Sequence, residues 1–200
     1  MYMYAAAKRG VDIIVSAVGL IFLGICLPFI TLAVKLDSPG PVFFRARRVS
    51  AGRVITIFKF RTMRASAETE KSSLLHLNER RGSPFFKISR DPRVTRVGRV
   101  LRQYWLDELP QLWNVLRGDI SLVGPRPYEP EEIASYPPAY QFLRYEKAGI
   151  TGLSQINGSW NLSYAKVLEY DAYYARHKSL RLDLKIIAKT ALLLRHPSGV

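Results

Sequence analysis

From Ile13 to Val34 the chain carries no charged residue. At 1.5 Å of rise per residue, a helix of that length can cross a hydrocarbon core of about 30 Å. It lacks the small-residue cleavage site of a secretory signal, so it is expected to stay in the mature protein. Pro28 lies inside the run, where a proline removes a backbone donor and bends or breaks a helix. Lys8 and Arg9 precede the run and Lys35, Arg45, Arg47 and Arg48 follow it; positive flanks favour the cytoplasmic side for both ends. Two arrangements stay open: a kinked span, or a helix broken near Leu27-Pro28 that enters and leaves the membrane on one face. Either way, residues 1–36 form a membrane segment and residues 37–200 a second unit.

After the turn cluster Asp37-Ser38-Pro39-Gly40-Pro41, two short β-type runs, Val42-Phe43-Phe44 and Val54 to Phe60, predict a hairpin joined by a basic turn. Strand alternation would put Lys59 and Arg61 on one face, either as a two-point clamp for phosphate oxygens or as a solvated surface. Ala65 to Arg81 is polar and helix-prone and predicts a surface helix without chemistry. Arginines then recur at every third position from Arg90 to Arg102. A helix starting near Thr95 would set Arg96, Arg99 and Arg102 on one side, facing solvent or an anion.

Leu106 to Gly118 is a short apolar-periodic run with Asp107 and Glu108 at its front and Gly118 closing it, which predicts a helix with an acidic N-terminus. Pro110 is tolerated because a first turn needs no backbone donor. The adjacent carboxylates read either as a cap with a solvated neighbour or as reactive groups favoured by the helix dipole, where phosphate would also bind. Gly124-Pro125-Arg126-Pro127 follows, with two prolines stiffening the backbone that presents the planar head of Arg126. Glu129 to Tyr140 is acidic and proline-rich, a loop or short helix able to move. Lys147 to Gly158 holds three glycines, suggesting a backbone that approaches a ligand closely. Leu162 to Arg176 reads as a helix with a core-facing Tyr164, Val167, Leu168, Asp171, Ala175 stripe. In Arg181 to Arg195 a basic stripe opposes an apolar one, Leu184, Ile187, Ala188, Ala191 and Leu194, which fits a membrane-interface helix as well as a core helix.

Composition changes this picture in one respect. A hydrophobic share of 48% excludes global disorder, but 30 Lys and Arg against 16 Asp and Glu leave a net charge of +14, which calls for a polyanionic partner. Nucleic acid is disfavoured because the aromatics gather in apolar segments rather than between the arginines. Cys26 alone excludes an internal disulfide framework, and His76, His177 and His196 lack ligand spacing, so no zinc site is expected. No P-loop or dinucleotide fingerprint occurs.

The string Leu-Asp-Glu-Leu-Pro-Gln-Leu at 106–112, followed by Ser-Leu-Val-Gly-Pro-Arg-Pro at 121–127, resembles the bacterial sugar transferases, the monotopic phosphoglycosyl transferases acting on polyprenyl phosphate. Lys8-Arg9-Gly10-Val11-Asp12 is similar to the family's Lys-Arg-x-x-Asp start, and Lys59-Phe60-Arg61-Thr62-Met63 matches its Lys-Phe-Arg-Thr-Met signature. Leu27-Pro28 stands where the family often has Ser-Pro, and Ala148 where it has proline. The resemblance implies a mainly helical α+β fold: a re-entrant membrane helix anchored through Lys8, Arg9, Asp12 and Pro28, then a compact domain with a small β-hairpin and interfacial amphipathic helices. It corresponds to the family's small, minimal form. The implied reaction moves a phospho-sugar from a UDP-sugar to polyprenyl (undecaprenyl) phosphate, releasing UMP, at the cytoplasmic face of a bacterial inner membrane with anionic lipids. Asp107 would be the nucleophile, Glu108 a metal ligand or base, and both carboxylates would hold Mg2+. Arg126, Lys59, Arg61, Arg96 and Arg99 would hold phosphate or nucleotide. A homo-oligomer stays open, and the rivals are a glycosyltransferase releasing UDP and a membrane-anchored nucleic-acid binder.

Overall fold

The structure, a computed structural model, describes residues 2–80, 83–158 and 161–195. Helix α1 spans Tyr2–Asp37 without interruption, with Pro28 inside it. The non-helical break expected near Leu27-Pro28 is therefore corrected to a proline within a continuous helix. The proline deprives only the Gly24 carbonyl of its donor, and a glycine there leaves that carbonyl free to tilt from the ring. Along α1 the side chains of Ile14, Val18, Ile21, Ile25, Phe29, Leu32 and Leu36 are exposed, while Asp12, Ser16, Leu23 and Val34 are buried against the rest of the chain.

Strands β1 (Phe43–Ser50) and β2 (Arg53–Phe60) pair antiparallel as a hairpin. Ala51 and Gly52 alone form the turn, both at positive φ (49° and 75°), the combination that matches the right-handed twist of the strands. The basic residues expected in the turn thus lie in the strands themselves, Arg45, Arg47 and Arg48 in β1 and Arg53 in β2. Ala46 and Ile57 are buried on one hairpin face, where Asn114 docks on β2: its Oδ1 accepts from Phe58 N at 3.1 Å and its Nδ2 donates to the Thr56 carbonyl at 2.8 Å.

The surface helix expected over residues 65–81 is replaced by two 3₁₀ turns, Ala65–Ala67 and Ser72–Leu77; Arg81 lies outside the described residues. Thr69 and Ser73 donate their hydroxyls to the Ser66 and Glu70 carbonyls, local bonds that compete with a regular helix. Helix α2 (Arg96–Gln103) begins as expected at Thr95, whose hydroxyl accepts from Gly98 N. After the 3₁₀ turn Leu106–Glu108 comes α3 (Gln111–Arg117), closed by Gly118 at φ 86°.

Strands β3 (Ser121–Val123) and β4 (Gly149–Thr151) pair parallel in a second small sheet, which strand patterning does not reveal because each is three residues long. A Cβ on Gly149 would lie 2.1 Å from Gly124 N, and one on Gly152 2.1 Å from Gly124 O. The glycines of this segment therefore serve close backbone packing of β4 on the Gly124 turn. Helices α4 (Pro130–Ala134), α5 (Leu153–Ile156), α6 (Tyr164–His177) and α7 (Leu180–Leu193) complete the chain. Val167, Leu168, Asp171 and Ala175 of α6 face the core as expected, with Tyr128, Tyr136 and Leu143. In α7, Asp183 and Ile186 are buried and Ile187 packs on the core, while Leu184, Leu192, Leu193 and Leu194 are exposed, so its apolar stripe is divided between the core and the outer surface.

Candidate active site

Asp107 and Glu108 sit in a 3₁₀ turn rather than in α3 itself, and Trp105 enters that turn from the left-handed region at φ 58°. Two elements, β2 and α2, converge there. Lys59, near the end of β2, donates to Glu108 Oε1 at 2.6 Å. Arg102, in the last turn of α2, donates through Nε to Thr62 Oγ1 at 2.9 Å, and Asp107 is the carboxylate that most favours its charge. Thr62 also ties α2 down, since its carbonyl accepts from Thr95 N and touches Gly98 so closely that a Cβ there would lie 2.0 Å from the oxygen.

This surrounding shifts Asp107. Burial, and then the charge of Glu108, push its carboxyl up to about 6, while Lys59 and Arg102 pull it down. Two neighbouring carboxylates of which one already resists ionisation are the donor set that a hard divalent cation suits, since magnesium takes one or two carboxylates and completes its shell with water and phosphate. Among the described residues no group of three or more metal-ligating side chains gathers, so such an ion would lean on its substrate.

Arg126 is held from behind. Asp171 of α6, fully buried, accepts from the Arg126 backbone N–H at 3.2 Å and from the Tyr128 hydroxyl. Burial raises the Asp171 carboxyl to about 6 against those hydrogen bonds. The Arg126 guanidinium lies 5.7 Å from the Phe85 ring centroid, and Arg80 packs over the same ring at 5.3 Å.

The other candidates are placed differently. Arg61 does not share a clamp with Lys59: β2 ends at Phe60, and the Arg61 guanidinium donates to the Val34, Ser38 and Pro39 carbonyls and to Ser38 Oγ at the end of α1. With 6% of its surface exposed, Arg61 is corrected from a phosphate ligand to a cap of α1. Arg96 and Arg99 are exposed on α2, and only Arg102 of that stripe turns to the carboxylates. Lys8, Arg9 and Asp12 bind other parts of the protein. Lys8 Nζ contacts Asp183 Oδ2 and the Val123 carbonyl, each at 2.9 Å, Arg9 donates to the Val115 and Leu116 carbonyls, and Asp12 Oδ1 accepts from Leu122 N and Ser121 Oγ.

Sequence reasoning did not single out Arg48 for this site. The hairpin register sets Arg48 opposite Ile55 and Phe44 opposite Lys59, which puts Arg48 on the Lys59 face. A strand register counted from the Ala51-Gly52 turn is the signal that finds it.

The fold and site define a carboxylate pair ringed by cations, on a helical body that carries a long, outward-facing apolar helix. The model of the bacterial sugar transferase family matches residues 3–196. The chain is 39% identical over 190 residues to the exopolysaccharide production protein ExoY of Sinorhizobium fredii, covering 92% of this chain and 83% of that one. It is similar to the galactosyl transferase CpsE of Streptococcus agalactiae (39% over 191 residues; 94% and 42%). It is also similar to the UDP-glucose:undecaprenyl-phosphate glucose-1-phosphate transferase of Xanthomonas campestris pv. campestris (38% over 199 residues; 94% and 39%). The chain thus spans about two fifths of the length of these last two relatives. It belongs to the bacterial sugar transferase family and is a transferase.

Proposed function

We propose that this protein transfers a sugar phosphate from a UDP-sugar to a polyprenyl phosphate at the cytoplasmic face of a bacterial membrane. The observation that carries the reading is the Asp107 carboxylate, desolvated beside Glu108 and faced by Lys59 and Arg102. A carboxylate stripped of water is a better nucleophile, and the cations offset the charge of the phosphate it attacks. Relatives named for undecaprenyl-phosphate sugar phosphate transfer support the substrate classes.

An Asp107 oxygen attacks the sugar-bearing phosphorus of the donor, and the bond to the bridging oxygen breaks with its electron pair leaving on UMP. An oxygen of the polyprenyl phosphate then attacks the same phosphorus, the acyl-phosphate bond breaks, and Asp107 is regenerated beside a polyprenyl-diphospho-sugar. Lys59 holds Glu108 in place beside Asp107, and Arg102 and Arg126 bind phosphate oxygens. Asp107 and Glu108 would hold Mg2+, which when bound lowers the repulsion between carboxylate and diphosphate. The exposed faces of α1 and α7 seat the site at the bilayer surface, where the lipid phosphate is presented.

The test is the nucleotide released when the protein, in lipid discs with magnesium, meets undecaprenyl phosphate and a mixture of UDP-sugars. Lipid-dependent UMP is expected, and Asp107→Asn should lower it at least a thousandfold. UDP as the product, or unchanged UMP release by Asp107→Asn, overturns the proposal.

A further inference from the structure

Arg48 stands between the two halves of the site. It lies on the same hairpin face as Lys59, and the charges acting on it come from Glu129 and Glu132 of the α4 segment, from Arg126, and from Glu108 beside the reactive carboxylate. Arg48 Nη2 lies 3.2 Å from Glu129 Oε1, and Lys71 Nζ lies 3.9 Å from the other Glu129 oxygen. The two glutamates differ in freedom. Glu132 is buried, and its Oε2 accepts from the Glu129 backbone N–H at 2.8 Å, closing the first turn of α4. The Glu129 carboxylate is 38% exposed, and ion pairs open to water contribute little and exchange readily. A guanidinium near a second one, Arg126, with a half-exposed carboxylate across from it, is the arrangement an incoming phosphate can take over, because phosphate offers a bidentate partner of greater charge.

We infer that Arg48 is a further phosphate-binding residue of the donor site, and that Glu129 occupies it as an internal stand-in for phosphate until the donor displaces it. The inference rests on the reading of the site as one for a nucleoside diphosphate donor, and it deepens that reading in two ways. It assigns a cation that bridges the Asp107-Glu108 turn and the Arg126 turn, and it gives the acidic segment at the start of α4 a competitive role. Removal of the Glu129 charge would then strengthen donor binding, and only while Arg48 is present.

The experiment measures binding of UDP, with magnesium, to the full chain in lipid discs by titration calorimetry, independently of turnover. Glu129→Gln is expected to tighten UDP binding about threefold to tenfold, because the competitor is neutralised. Arg48→Gln is expected to weaken it at least tenfold, and Arg48→Lys to recover part of that loss. In the Arg48→Gln/Glu129→Gln double variant the gain from Glu129→Gln should vanish. Unchanged or weaker binding by Glu129→Gln, the same gain in the presence and absence of Arg48, or no UDP binding by the unaltered protein overturns the inference. Glu129→Gln is a gain-of-binding variant, so misfolding cannot imitate its expected result. If UDP binds as expected but no lipid-dependent UMP appears, the transfer reaction fails while this assignment stands.

Discussion

Arg61 and Arg9 do the same work at different places: each sets a guanidinium against the last carbonyls of a helix, Arg61 at the end of α1 and Arg9 at the end of α3. A cation there satisfies carbonyls that have no intrahelical donor and complements the negative end of the dipole. Asp107 is the opposite case, a charged group held where its charge is disfavoured. Its carboxyl, pushed up to about 6 from an ordinary 3.8, binds a proton more tightly in the folded protein than in the unfolded chain. The cost of keeping it ionised is therefore fully present above pH 6 and absent below pH 3.8, and two pH units correspond to at most about 3 kcal/mol. Asp107→Asn is expected to raise Tm by several degrees at pH 7.5, with the gain shrinking as pH falls through 6 toward 4. Scanning calorimetry of both proteins in the same detergent across that range checks it. A Tm difference that does not vary with pH would mean that Asp107 is not the strained group. Activity of the unaltered protein should fall on the acid side with a midpoint near pH 6, since only the carboxylate attacks.

At the scale of elements, the hairpin, α2 with its Thr95 cap and the core face of α6 were legible because each rests on a local pattern: alternation, a capping residue, a 3.6-residue period. The β3-β4 pair was not, because three-residue strands carry no period and their pairing depends on glycines that meet only in the fold. The carboxylate pair and Arg126 are readable from sequence as candidates, yet the partners of Lys59 and Arg61 are not. Strand alternation stops one residue short of Arg61, because the chain turns at Phe60 to deliver Arg61 to α1. The joint between hairpin and site depends instead on Asn114. Buried completely, it bonds Phe58 N, the Thr56 carbonyl and Asp119 Oδ2, and its loss leaves strand groups without partners. Asn114→Ala should destabilise the protein by about 2–4 kcal/mol. It should also speed hydrogen exchange at the Phe58 amide well beyond exchange in α6. Equal acceleration in both places would show global loosening and refute a local joint.

For the whole molecule the question is how α1 meets the bilayer, and the contacts at its two ends bear on it. Near the N-terminal end, Lys8, Arg9 and Asp12 fasten the helix to α7, α3 and β3. At the C-terminal end, Arg61 caps it and Asp37 Oδ2 accepts from Val97 N of α2. Both ends are thus bolted to one body, while the apolar ridge from Ile14 to Leu36 faces outward beside the exposed leucines of α7. A helix crossing the bilayer to the far side would have to break one of these sets of bonds, including a buried carboxylate at Asp12 that accepts two hydrogen bonds. Insertion into one leaflet, with both ends on the same side, keeps all of them and still buries the ridge. Cys26 is the sole cysteine, so a Cys26→Ser background isolates added thiols. Met3→Cys and Lys35→Cys, both at exposed positions off the apolar ridge, should each react with a membrane-impermeant maleimide in inside-out vesicles and neither in intact spheroplasts. Reaction of Met3→Cys from the outside alone, with Lys35→Cys reacting from the inside, would establish a spanning helix and require the Lys8, Arg9 and Asp12 bonds to open in the membrane.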